Sequence, residues 1–295
     1  MVKIHFAAFW VSFDPEVNFF RDSLLEGMDT VVTQDNPDIV FFSCFGDPQL
    51  DRYPNAKRVF FTGENLRPKP EADLSLSFDY DSSTNVRTPL YLLTLHELQA
   101  GEEEILYRPK EYDGRKLFCA FIYSHGVVGT RRGVYQDGVA LRNRLFHALS
   151  KYKKVDSAGT FMNNMDMGAT VPDKRGHGVG GKLEFLQNYK FAFSIENSST
   201  PGYTTEKILH PALAGSLPIY WGNPHIDLEF NPKSFLALKG PDDHDVDEMV
   251  DRVAWLDSDD GAYAAVLAQP YVLRRDAFSV QISRVKERLL ALLTQ

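Results

Sequence analysis

Cysteine is nearly absent: Cys44 and Cys119 are the only two in 295 residues, each inside an apolar run and neither with a second Cys or a His at metal-ligand spacing. That argues against a disulfide framework and a zinc site, and two buried free thiols are expected, as in a reducing compartment. Long hydrophobic runs are also lacking. No apolar stretch reaches 18 residues, and the N-terminus, Met1-Val2-Lys3-Ile4-His5-Phe6, has no basic segment leading into a long apolar one. A soluble, cytoplasmic chain with no encoded membrane association is expected, although a chain trimmed of an anchor would read the same way. Positive charge is in deficit, with 32 Lys and Arg against 40 Asp and Glu and a net charge of -8. The densest cationic cluster, Lys151, Lys153 and Lys154, reads as a solvated helix end, so nucleic-acid binding is not expected.

What is present is ordinary globular composition, 43% hydrophobic and 24% charged, at a length that suits two domains better than one. Strand-like runs occur at Ile4–Trp10, Asp38–Cys44, Arg58–Thr62, Leu74–Phe78, Leu117–Tyr123, Phe191–Ile195, Leu217–Trp221 and Phe235–Leu238. Most are continuous rather than alternating, the pattern of parallel strands buried on both faces. Helical stripes fall between and after them: Leu141, Leu145, Ala148 and Leu149; Met249, Val253 and Leu256; and Phe278, Ile282, Val285, Leu289 and Leu292. Strands alternating with helices predict an α/β fold. The polar stretch 101–115, with Glu102-Glu103-Glu104, Pro109 and Gly114, suggests two domains, 1–110 and 111–295, with the last helix (about 276–295) returning to the first.

One segment carries chemistry. Phe191-Ala-Phe-Ser-Ile-Glu196-Asn197-Ser198-Ser199-Thr200-Pro201-Gly202-Tyr203-Thr204-Thr205-Glu206-Lys207-Ile208 reads as strand, polar turn and helix start. Thr204 or Thr205 suits the N-cap, Glu206 the first turn, and Gly215 the helix stop. Free N–H groups at a helix N-terminus beside the Lys207 charge form an anion site that fits a nucleotide diphosphate, and an ordinary capped strand–helix connection would look similar.

This segment resembles the donor-binding signature of α-1,3-fucosyltransferases: Glu196-Asn197-Ser198, then Tyr203, then Thr205-Glu206-Lys207, then a small-residue helix, then Pro218 to Gly222. Asn231-Pro-Lys-Ser-Phe235 extends the likeness to bacterial members, while upstream Thr62-Gly63-Glu64-Asn65 resembles the strand-end motif of the family's base and Leu141-Arg142-Asn143 the position of its diphosphate-binding arginine. The likeness runs from about Arg58 to Phe235. It implies two Rossmann-like domains facing each other across a cleft, the GT-B type, with an acceptor-binding N-terminal domain and a C-terminal domain for GDP-fucose. The heptad repeats and basic tail of some bacterial members are missing, and Thr200-Pro201 departs from the usual turn.

The resemblance implies inverting transfer of L-fucose from GDP-fucose to the 3-hydroxyl of N-acetylglucosamine or glucose in a lactosamine-type glycan. Glu64 would be the general base, following a strand and Gly63. Arg142 and Lys207 would hold the leaving diphosphate, so no divalent metal is required. Glu206 would bind sugar hydroxyls, and Asn197, Tyr203 and Thr205 would also bind the donor. Glu196 is the rival base. Other readings are a transferase using another guanine nucleotide sugar and a nucleotide-sugar or glycan-binding protein without turnover. For Arg142 alone, a solvent-facing helix position is the plain alternative.

Other signals carry less. Gly176-x-x-x-x-Gly181-Lys182 has phosphate-loop spacing, but Leu183 stands where Ser or Thr is needed, and a flexible glycine loop is expected. The Asp-x-Asp pairs at Asp79/Asp81, Asp245/Asp247 and Asp257/Asp259, two of them near helix starts, read as solvated helix ends.

Overall fold

The computed structural model describes residues 1–98, 106–107, 110–114, 117–165 and 178–294. The chain divides into two units, Met1–Glu97 with Phe278–Gln295, and Leu98–Ala277. Most of the polar stretch 101–115, including the three glutamates and Pro109, lies outside the described residues.

In the first unit β1 (Val2–Ala7), β2 (Thr30–Val32), β3 (Ile39–Phe42), β4 (Lys57–Phe61), β5 (Leu74–Ser77) and β6 (Asn85–Arg87) form one parallel sheet, followed by α1 (Tyr91–Leu98). The strand order is β2-β1-β3-β4-β5-β6. Every residue of β3 and β5 is buried, the expected result of a sheet covered on both faces. Phe6 pairs with Phe41, Phe41 with Val59, and Val59 with Leu74, so the apolar runs stack in register. The run predicted to reach Trp10 leaves the sheet at Ala7 because Ala8 takes the left-handed conformation, φ 57°.

The second unit contains β7 (Leu117–Phe121), a hairpin of β8 (Thr130–Arg131) and β9 (Val134–Tyr135), α2 (Asp137–Tyr152), β10 (Val155–Ser157), α3 (Gly178–Leu186), β11 (Tyr189–Ile195), α4 (Glu206–Ala214), β12 (Leu217–Trp221), β13 (Leu236–Ala237), α5 (Asp243–Ser258) and α6 (Asp260–Leu267). Its parallel sheet has the order β10-β7-β11-β12-β13. The core joins Phe121, Leu145, Phe191, Phe193, Ile219, Met249 and Val253. The glycine loop expected around Lys182 is partly helix: Gly178 to Gly181 open α3, which packs on α4 and β11, while 176–177 lie outside the described residues. Tertiary packing overrides the poor helix propensity of glycine there.

The chain ends in α7 (Ala277–Leu293), which belongs to the first unit from Phe278 onward. Phe278 meets the Tyr91 ring edge-on at 5.3 Å, and Val285 and Leu289 are buried on the same stripe. Arg284 pairs with Asp81 at 3.2 Å, and Arg288 donates to the carbonyls of Ser82 and Ser83 at 2.9 and 2.7 Å.

Each sheet reverses its order once. In the first, the chain moves to one side of β1 for β2 and to the other for β3; in the second, β10 and β11 flank β7 in the same way. The loops leaving β1 and β3, and those leaving β7 and β11, therefore flank a switch point at the carboxyl ends of the strands, the place where ligands bind in open α/β sheets.

Candidate active site

The β7/β11 switch point of the second sheet collects seven of the eight residues singled out from the sequence. Glu196 follows the last residue of β11 and is fully buried. Its Oε1 accepts from the Thr205 N–H at 2.7 Å, and the Thr205 hydroxyl lies 2.8 Å from both carboxylate oxygens. Thr205 is the N-cap of α4: its backbone is extended and its Oγ1 accepts from the Lys207 N–H at 3.4 Å. The Lys207 ammonium lies 3.2 Å from Glu196 Oε2, 3.1 Å from Thr205 Oγ1 and 3.7 Å from Glu206 Oε1. Burial opposes the Lys207 charge, but Glu196 and Glu206 outweigh it and raise the ammonium above its ordinary pKa. Burial would likewise raise the Glu206 carboxyl, but Lys207 and Lys182 hold it down to about 2. Glu206 is thus ionised at neutral pH at the first position of the helix.

Helix α4 contains Pro211, whose missing N–H leaves the Lys207 carbonyl without its helical partner. The Ser194 hydroxyl, from β11, donates to that carbonyl at 2.9 Å. Strand and helix are tied directly beneath the functional turn.

The turn itself is braced from β12. Gly202 adopts φ 86°, a conformation that favours glycine, and its N–H donates to Asn223 Oδ1 at 2.9 Å. Asn223 Nδ2 donates to Thr204 Oγ1 at 3.0 Å and to Glu229 Oε1 at 2.9 Å, and the Thr204 hydroxyl donates to the same Glu229 oxygen at 3.0 Å. The Ser199 hydroxyl donates to the Gly222 carbonyl at 2.6 Å. Tyr203 lies buried inside this frame.

Arg142 bridges the loops after β7 and β11. The solvent-facing helix position is corrected: its side chain is fully buried, pointing inward from α2. Nη1 donates to Asn197 Oδ1 at 2.8 Å, and Nη2 donates to the His125 carbonyl. His125 lies in the loop after β7 and Asn197 in the loop after β11, so one guanidinium spans the point where the strand order reverses. It stacks over the Tyr123 ring at 4.1 Å. The Tyr123 hydroxyl accepts from the Ile195 N–H at 2.8 Å and donates to the Ile195 carbonyl at 3.0 Å. Burial pushes this phenol up to about 12, so it stays a neutral donor. Burial also lowers the Arg142 guanidinium from its ordinary value, and its Nε–H is buried with no hydrogen-bond partner.

Glu64 is the eighth residue and belongs to the first unit. It follows β4, and its backbone is pinned in both directions by Thr62: its N–H donates to Thr62 Oγ1 at 3.0 Å, and the Thr62 hydroxyl donates to the Glu64 carbonyl at 2.9 Å. The side chain is partly exposed. Glu196, in contrast, is wholly enclosed and both its oxygens are engaged by Thr205 and Lys207, which suits an anchor for the helix start better than a proton acceptor.

Tyr123, His125, Gly138, Asn223 and Glu229 belong to the site and were missed in the sequence. Gly138 opens α2 and its N–H donates to the Asn197 carbonyl at 3.0 Å. The Gly222-Asn223 end of β12 was visible, but nothing local pointed to the reach of Asn223 back to Gly202. Lys182, set aside with the phosphate-loop spacing, acts electrostatically on Glu206 and on His210 of α4. Among the described residues no three His, Cys, Asp or Glu side chains group as metal ligands, and no helix is long and apolar enough to cross a membrane.

Two parallel α/β sheets, with a cationic, carboxylate-buttressed helix N-terminus at the switch point of the second, thus frame the site. Residues 4–94 match the alpha-(1,3)-fucosyltransferase FucT N-terminal domain, and residues 134–287 match the C-terminal part of glycosyltransferase family 10 (fucosyltransferase). The chain belongs to glycosyltransferase family 10. It is 30% identical over 297 residues to the alpha-(1,3)-fucosyltransferase FucT of Helicobacter pylori, covering 90% of this chain and 59% of that protein. It is 36% identical over 154 residues to alpha-(1,3)-fucosyltransferase B of Drosophila melanogaster, covering 51% of this chain and 33% of that one. The chain therefore spans less than two thirds of either relative. Its fold matches a crystal structure of an alpha1,3-fucosyltransferase with a TM-score of 0.71 at 24% identity, over 100% of this chain and 90% of the other. It also matches one with GDP-fucose at 0.70.

Proposed function

We propose that this chain transfers L-fucose from GDP-fucose, with inversion, to the 3-hydroxyl of N-acetylglucosamine or glucose in a lactosamine-type glycan. The observation that carries the reading is Arg142, held across the β7/β11 switch point with an uncommitted Nε–H, in the unit where Lys207 sits at a capped helix N-terminus. An anion is what such a place accepts. The linkage is that of the family and of the relatives it resembles, and the donor is that of the similar α1,3-fucosyltransferase structure with GDP-fucose.

In this reading the acceptor oxygen attacks the anomeric carbon of fucose, the bond from that carbon to the β-phosphate oxygen breaks, and GDP departs. The acceptor proton passes to Glu64. Arg142 and Lys207 offset the charge that grows on the departing diphosphate, and no divalent metal is required. Glu206, ionised and at the first position of α4, accepts from a sugar hydroxyl and favours positive charge at the anomeric centre. Asn197 and Tyr203 shape the donor pocket, Asn197 through Arg142, and Thr205 keeps α4 capped. Glu196 holds Lys207 in place rather than taking the proton.

The test is Glu64→Gln assayed with GDP-fucose and a glycan panel, reading GDP release, product linkage and donor affinity. Transfer falls at least a hundredfold while GDP-fucose affinity stays within twofold. Normal transfer by Glu64→Gln overturns the base assignment, and tight GDP binding without transfer by the wild type overturns the activity.

A further inference from the structure

The carboxyl edge of the first sheet carries an aromatic platform that none of the roles above uses. Its rings come from the two loops that flank that sheet's switch point. Trp10 lies three residues beyond the end of β1, and Phe45 three residues beyond the end of β3. Their rings meet edge-to-face, centroids 6.1 Å apart and planes at 79°. Trp10 is half-buried and Phe45 is 36% exposed.

The platform is built rather than incidental. Ala8 holds its left-handed φ of 57°, and its carbonyl accepts the Phe45 N–H at 2.9 Å, which locks one loop to the other. Such strain in a residue other than glycine persists only where the surroundings enforce it. Below the surface the rings continue as a column. Trp10 contacts Phe13 edge-on at 5.1 Å and Phe9 at 5.5 Å, and Phe9 lies parallel to Phe61 at 6.3 Å. Phe61 ends β4, three residues before Glu64. The β3 and β4 loops also touch, Cys44 Sγ lying 3.9 Å from Thr62 Oγ1, the atom that pins the Glu64 backbone. The platform and the Glu64 loop thus leave adjacent strands of one sheet edge.

Rings held rigid from below and exposed above suit a ligand with a flat apolar face and a polar rim. A hexopyranose is such a ligand: its axial C–H groups pack on an aromatic ring while its hydroxyls stay at the edge. Residues 8–18 and 43–51, around the two rings, contain no Lys or Arg and carry Asp14, Glu16, Asp47 and Asp51; Arg52 follows directly, and Glu16 is paired with Arg21. Acidic side chains accept from sugar hydroxyls and repel anionic groups, so the sugar is neutral. We propose that Trp10 and Phe45 form a subsite for a neutral hexopyranose of the acceptor glycan, the unit next to the one whose hydroxyl reacts at Glu64. What the bound glycan undergoes rests on the transferase reading; the binding does not.

The experiment varies a neutral lactosamine-type oligosaccharide at saturating GDP-fucose for the wild type, Phe45→Ala, Trp10→Ala and Trp10→Phe, each checked for folding by thermal melting. Saturation-transfer NMR of the same oligosaccharide without donor runs in parallel. The glycan KM rises at least fivefold in Phe45→Ala and Trp10→Ala and less than threefold in Trp10→Phe, while the KM for GDP-fucose stays within twofold. The NMR signal falls in Phe45→Ala. Should Trp10→Ala fail to fold, Phe45→Ala decides. A folded Phe45→Ala whose glycan KM and NMR signal stay within twofold of wild type overturns the platform. A wild type that binds the glycan through Phe45 but transfers no fucose overturns the transferase reading and leaves the platform standing.

Discussion

Gly138 packs directly against the main-chain carbonyl of Glu196: a β-carbon at position 138 would overlap that oxygen and crowd the Trp221 ring. The start of α2 and the Glu196-Asn197 turn can approach this closely only because position 138 has no side chain. Since the same turn holds Arg142 through Asn197, Gly138→Ala forces both apart. Overpacking of this kind costs about 1–3 kcal/mol. The expected outcome is a lower melting temperature with GDP affinity reduced roughly tenfold, about 1.4 kcal/mol, by calorimetry. Unchanged GDP affinity would show that the turn tolerates displacement.

Ser194 and Pro211 form a second coupled pair. With Pro211 present, Ser194→Ala leaves the buried Lys207 carbonyl without a donor, and a loss of about 1–3 kcal/mol is expected. In a Pro211→Ala background the helix supplies its own N–H and the same substitution costs less. A double-mutant cycle by urea unfolding measures this, and a coupling energy near zero contradicts it.

His210 predicts a pH dependence. It is almost wholly buried on α4 with both ring nitrogens unpartnered, and burial, then the Lys182 charge, lower it from 6.5 to about 3, despite Glu206 nearby. Between those values the unfolded chain binds a proton that the folded chain refuses. The contribution of the neutral imidazole is complete above pH 6.5 and falls as the pH drops toward 3, with a slope approaching about 1.4 kcal/mol per pH unit. Unfolding free energies of wild type and His210→Leu should therefore diverge as the pH rises from 4 to 6.5, in favour of wild type. Parallel curves would remove His210 as the cause. The Glu206 carboxyl loses its contribution in a lower window, from 4.5 down to 2, present in both proteins.

The two carboxylates considered as base differ in what their loss does. Glu196→Gln removes one charge of a buried pair and leaves the Lys207 ammonium with Glu206 at 3.7 Å. A cost of about 3 kcal/mol is expected. Glu64→Gln changes a partly exposed side chain and should stay within about 0.5 kcal/mol. Side-by-side thermal melts separate them, and equal melting temperatures would be inconsistent with Glu196 as an anchor.

The central strands were legible because parallel strands covered on both faces require unbroken apolar runs, and β3, β4, β7, β11 and β12 have them. Strands β2, β6 and β10 were not. Each is three residues long and lies at a sheet edge, where Thr30, Asn85 and Asp156 are tolerated, so the apolar signal vanishes. The cap at Thr205 and the stop at Gly215 were legible because capping is local chemistry.

By itself, then, the sequence determined the α/β class, the strand–turn–helix from Phe191 to Ile208 and, through its order of residue types, the family. Tertiary structure alone decided that Arg142 is buried, that Lys207 is clamped by Glu196 and Glu206, and that Trp10 and Phe45 meet over one sheet edge. The physical reason is distance along the chain. Arg142 meets its partner Asn197 across 55 positions. Local patterning reports which face of an element avoids water, while partners are chosen by the order in which strands enter a sheet.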